Sequence, residues 1–133
     1  MIILTNEKTL LSVVMLLKDI RTFHNRFLES LEVLFHSIAL SSKDIHAELQ
    51  EMKVVQLTDK TNRKTVGSMN DFVYHVRAAL FEDQNLSLDE ISFELSGIPC
   101  APLKYGLPRE EVLNVIDPPP HTVQLERNHN QWN

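Results

Sequence analysis

The sequence predicts an α+β domain: a small antiparallel sheet of about three strands, packed on one side by four to five helices. Three observations carry that reading. Two short apolar runs near the start, Met1–Thr5 and Leu10–Leu17, are separated by the polar break Asn6-Glu7-Lys8. A long stretch from Phe23 to Ile38 then places apolar residues at three- and four-residue steps. The same step recurs from Met69 to Leu80, behind the polar, basic run Asp59–Val66.

The two opening runs read as strands joined by a tight connection, because they are short and the second holds the β-branched pair Val13-Val14. Leu10, Val13, Val14 and Leu17 also fit helical spacing, so a helix over Glu7–Asp19 is the alternative. Thr22 is the cap expected for the next helix. Phe23, Phe27, Leu31, Leu34, Phe35 and Ile38 form its apolar stripe, with Asn25, Arg26, Glu29, Glu32 and His36 opposite. Ser41 with Asp44 reads as a capping box for a short helix that turns Ile45, Leu49 and Met52 inward. Lys53–Thr58 reads as a third strand.

The stretch Thr61–Glu82 carries the most specific signature. Gly67 permits a positive φ or a close backbone approach. Ser68 with Asp71 reads as the cap of a helix that buries Met69, Phe72, Val73, Val76 and Leu80. Ser87 with Glu90 caps a further helix, stopped by Gly97 and Pro99. Cys100–Leu107 reads as a loop. Pro108-Arg109-Glu110-Glu111 starts a last short helix, with proline and acids suited to the first turn.

Residues 1–117 are thus expected to be one domain. Residues 118–133 form an extension led by the stiff run Pro118-Pro119-Pro120, expected to pack on this domain or on a partner chain. Within it, His121–Arg127 alternates weakly, as a fourth strand would, and Trp132 lies near the end.

Composition sets several functions aside. The 133 residues include 43% hydrophobic and 23% charged, ordinary for a globular protein, and the formal net charge is -5. That acidity opposes coating of nucleic acid. No apolar run approaches the ~18 residues of a spanning helix, and Met1-Ile-Ile-Leu lacks a basic leader region, so neither membrane span nor signal peptide is expected. One cysteine, Cys100, allows no internal disulfide and suits the cytoplasm. With three glycines, a glycine-rich phosphate loop of the usual kinds is excluded.

At Arg63–Asp71 the chain resembles a bacterial family catalogued as a domain of unknown function. Asn6–Leu10 matches that family's Asn-Glu-Lys-Thr-Leu turn, and Gly67–Asp71 its Gly-Ser-Met-Asn-Asp motif. His75 and Arg77 match a His and Arg in the following helix. Pro99, Leu103, Tyr105 and Pro108 match a later proline-flanked segment. The resemblance covers most of Met1–Val112 and implies no activity. Relatives carry a further apolar strand ahead of the turn, so a sheet edge that they cover is expected to be open here. An open edge is a template for strand addition. A homodimer through that edge or through the C-terminal tail is therefore expected.

The anion-binding candidates are Arg63, Lys64, Gly67, Ser68, His75, Arg77 and Tyr105. A basic loop running into a helix N-terminus can hold a phosphate or carboxylate. Against this, Ser68 and Asp71 compete for the same amides. His75 is of a residue type that can act as a general base, or it can simply bond a carbonyl at the helix border. No catalytic constellation is identifiable, no histidine spacing matches a metal site, and no cofactor is expected. The expectation is a non-enzymatic bacterial accessory or interaction protein, with mobile DNA as the setting that the family implies. The alternative is an enzyme or binding protein for a small phosphorylated or carboxylated ligand at Arg63–Asp71.

Overall fold

A computed structural model describes residues 1–51 and 63–116. Within them lie two strands, β1 (Ile2–Thr5) and β2 (Ser12–Met15), and five α-helices. These are α1 (Ile20–Ser37), α2 (Ser42–Glu51), α3 (Arg63–Glu82), α4 (Leu88–Leu95) and α5 (Pro108–Ile116). The strand expected at Lys53–Thr58, and all features expected beyond Ile116, lie outside the described residues. The sheet described is therefore a two-stranded antiparallel ribbon rather than three strands.

The first apolar runs do form the ribbon, in the register Ile2↔Met15, Ile3↔Val14, Leu4↔Val13 and Thr5↔Ser12. Its connection is built by its own side chains. The Asn6 side-chain oxygen accepts from the Lys8 and Thr9 amides at 2.8 and 3.0 Å. The Thr9 hydroxyl accepts from the Leu11 amide at 3.2 Å. Leu10 holds a left-handed φ of 62° with its side chain buried. A leucine adopts that conformation only where packing compensates the strain.

Every β2 residue is buried, which explains why Leu10–Met15 is continuously apolar apart from Ser12. Leu11, Val13 and Met15 join one apolar cluster with Leu31, Leu34, Phe35, Ile45 and Val112 from α1, α2 and α5. Leu10 and Val14 join a second with Phe72, Val76, Ile91, Leu95 and Cys100. Helices therefore pack on both faces of the ribbon, not on one.

Helix α4 runs beside the outer edge of β2. The Ser92 hydroxyl accepts from the Val14 amide at 2.8 Å and donates to the Leu88 carbonyl at 3.0 Å. Val14 thus points its amide away from β1, so its partner Ile3 points its backbone groups away from β2. The edge of β2 is occupied by α4. The edge left for strand addition, among the described residues, is that of β1.

Two caps differ from expectation. Asp19, not Thr22, caps α1. Its carboxylate accepts from the Arg21 amide and guanidinium, which holds its pKa below the usual carboxylate value. Helix α3 begins at Arg63, so Gly67 and Ser68 lie within it instead of preceding it. Thr65, Ser68, Phe72 and Val76 form its buried stripe, and that inward face carries the helix past the capping signal. The Ser41 and Ser87 caps form as expected, accepting from the Asp44 and Glu90 amides. Gly97 follows α4 without a positive φ; a Cβ there would run into the Arg109 guanidinium, meeting Cζ at 3.0 Å. Arg109 lies over the Phe93 ring, 4.8 Å from its centroid.

Candidate functional site

The first two turns of α3 face the segment Ile98–Pro102 across a cleft of about 530 Å³. Arg63, Lys64, Gly67, Ser68 and Asp71 line one side. Phe72 lies at the floor level of the second apolar cluster, and Ile98, Pro99, Cys100, Ala101 and Pro102 form the opposite side.

The opposite side is held rigid by its backbone. Ala101–Leu103 is a single 3₁₀ turn, and Lys104 and Tyr105 follow with left-handed φ of 54° and 62°. Cys100 and Gly106 bridge, with the Cys100 amide donating to the Gly106 carbonyl at 3.1 Å. The segment read as a loop is therefore a closed, tightly bonded one.

The cleft's charge is mixed. Arg63 and Lys64 stand at its mouth and both are exposed. The positive end of the α3 dipole points the same way. Asp71 supplies one opposing carboxylate. Cys100 is buried, and burial pushes its thiol pKa up, with the Asp71 charge adding to the effect. The thiol donates to the Ile98 carbonyl at 3.2 Å. A thiol kept neutral and turned to a carbonyl is a poor nucleophile at neutral pH.

Four of the seven candidates, Arg63, Lys64, Gly67 and Ser68, line this cleft. His75, Arg77 and Tyr105 do not. His75 and Arg77 are exposed on α3, with His75 edge-on to Tyr74 at 6.4 Å between ring centroids. Tyr105 is 73% exposed. Sequence reasoning left out the facing side, Ile98–Pro102, because no periodicity links it to α3; only its paired prolines hinted at a fixed backbone.

Gly67 is unusual in this setting. It sits inside α3, its φ is not positive, and a Cβ added to it would meet nothing within 4 Å. Neither turn geometry nor packing requires glycine there. Among the described residues, no group of three or more His, Cys, Asp or Glu is placed to hold a metal ion. No helix among them is long and apolar enough to cross a membrane.

The chain belongs to the family described as a domain of unknown function (DUF6933), whose model matches residues 1–111. No curated protein and no solved structure matches it.

Proposed function

We propose that this member of the DUF6933 family works by binding rather than by catalysis, and that the α3 cleft takes a phosphorylated or carboxylated small molecule. Gly67 is the observation that carries the reading. A glycine inside a helix costs about 0.5–1 kcal/mol relative to alanine, and the fold gives no return for it. Its missing side chain leaves the α3 backbone open to close approach from the cleft. Arg63 and Lys64 would meet the anionic group, while Phe72, Ile98 and Pro102 contact the apolar body. Such a cleft would sense its ligand without transforming it.

The test is thermal stabilisation by a panel of inorganic phosphate, sugar phosphates, nucleoside monophosphates and short carboxylic acids. Gly67→Ala is expected to raise the melting temperature of the unliganded protein and to diminish the ligand-induced shift. Arg63→Glu is expected to abolish the shift. No shift across the panel, or a shift untouched by Gly67→Ala, refutes the proposal.

A second reading concerns assembly. Ile3 and Thr5 turn their backbone groups away from β2, and α4 occupies the other edge of the ribbon. Strand addition to β1 would therefore join two copies, as expected from the sequence. Thr5→Pro removes an outward amide and leaves the β1–β2 ladder intact. Light scattering should then show a dimer for the parent chain and a monomer for the variant; a monomeric parent chain ends this reading.

A further inference from the structure

Helix α3 buries Thr65, Ser68, Phe72 and Val76, and its opposite face looks outward. With 3.6 residues per turn, Arg63, Val66, Asn70, Tyr74, Arg77 and Phe81 fall within about 80° of arc on that outer face. All of them are exposed. Tyr74 is 75% and Phe81 87% exposed, and neither they nor Val66 belong to either apolar cluster. The acids of α3, Asp71 and Glu82, lie outside the arc. Among the described residues, neither Arg63 nor Arg77 has a carboxylate partner. The stripe is therefore apolar and basic, on a chain whose net charge is -5.

We propose that this face docks an acidic amphipathic helix of a different protein, with Tyr74 and Phe81 as apolar anchors and Arg77 as the charged one. Spacing argues for a helix. Arg63, Asn70 and Arg77 recur every seven residues, and Tyr74 and Phe81 are set the same step apart. A seven-residue step keeps one seam facing a neighbour when two helices lie side by side, with apolar positions flanked by charged ones. From Val66 to Phe81 the seam runs about 22 Å, roughly four turns. Charge argues for an acidic partner, because carboxylates at the edge of such a helix would meet the two unpaired arginines and fix its register. Tyrosine, phenylalanine and arginine are also the side chains enriched where proteins meet. A second copy of this chain does not fit. Laid parallel, it sets Arg77 against Arg77; laid antiparallel, it sets Arg63 against Arg77. Nucleic acid fits less well, because Glu82 and Asp83 follow Phe81 directly and repel phosphates, as does the net charge. The anchors are separate from the α3 cleft, since Tyr74, Arg77 and Phe81 are absent from its lining.

The experiment titrates the isotope-labelled full chain with a designed helical peptide of about three heptads, leucine at a and d and glutamate at e and g, and with its lysine counterpart. The glutamate peptide is expected to bind and to shift the amide resonances of Tyr74, Arg77 and Phe81. The lysine peptide should bind at least about tenfold more weakly. Arg77→Glu should reverse that preference, a gain that misfolding cannot produce. Phe81→Asp should weaken the glutamate peptide by about tenfold or more, while stabilisation by a ligand of the α3 cleft survives it, so the two sites fail or stand separately. No binding of the glutamate peptide at about 1 mM overturns the proposal. Equal binding of the two peptides, or a preference unchanged by Arg77→Glu, does the same. A single-stranded oligonucleotide that shifts the same resonances more tightly than the peptide assigns the face to nucleic acid and also overturns it, as does self-association of the parent chain that Phe81→Asp removes.

Discussion

Ser92→Ala tests how the ribbon is closed. The residue is 1% exposed, and its hydroxyl is the partner of the Val14 amide across 78 residues of sequence. Alanine leaves that amide buried between strand and helix with no acceptor. An orphaned buried donor costs about 1–3 kcal/mol. The serine-to-alanine change returns roughly half a kcal/mol of helix propensity. The net expectation is a loss of roughly 1–2.5 kcal/mol. With a urea m-value of about 2 kcal/mol/M, the midpoint falls by roughly 0.5–1.2 M. Ser96→Ala is the matched control. Ser96 is equally buried and close by on the same segment, but its hydroxyl only donates to the Phe93 carbonyl, which the Ser96 amide also reaches. Its loss orphans no amide and should cost less than about 1 kcal/mol. Hydrogen exchange supplies a local readout: the Val14 amide should lose protection in Ser92→Ala and keep it in Ser96→Ala. If the two variants unfold together, or Val14 protection is unchanged, the closure argument fails.

Two further outcomes follow from the same structure. Gly97→Ala pushes the Arg109 guanidinium off Phe93. Urea unfolding of Gly97→Ala, Arg109→Ala and the double variant should therefore give a coupling of about 0.5–1 kcal/mol, and additivity would contradict it. Folding raises the Cys100 pKa, so the fold favours the protonated thiol. That contribution is whole below the unfolded value of about 8.5 and is lost as pH rises through the folded value. Stability should thus fall in alkali, Cys100→Ala should flatten the fall, and Asp71→Asn should speed modification by a thiol reagent; a thiol as fast as a free cysteine at pH 8 would contradict the burial argument.

The ribbon was legible because short β-branched runs flank a turn of Asn6 and Lys8. The unbroken apolar character of Leu10–Met15 also carried the news of two covered faces, yet it reads equally as half a helix stripe. Serine and threonine were the harder letters. Ser41 and Ser87 cap helices, whereas Ser68 and Ser92 sit on buried faces, and Ser68 with Asp71 three residues on has the same local spacing as the two caps. What decides between them is whether a distant element needs a polar partner or a small side chain, and Val14 lies too far away in sequence to announce that need. In the same way, Arg63 to Ser68 were recognisable as one side of a candidate cleft. The facing prolines and Cys100 became its other side only through the packing of both on the second cluster.

The bond between Val14 and Ser92 also sets an order of events during synthesis. The hairpin is complete once residue 15 has left the ribosome, but the cover for its outer edge is encoded far downstream. Until Leu88–Leu95 emerges, β2 presents an apolar strand edge with no occupant, the kind of surface on which nascent chains stick to one another. Slow translation between residues 15 and 88 should therefore lower the yield of this protein more than an equal delay after Leu95. The timing of the chain's own appearance, as much as its final contacts, determines whether the ribbon ends up between its two layers of helices.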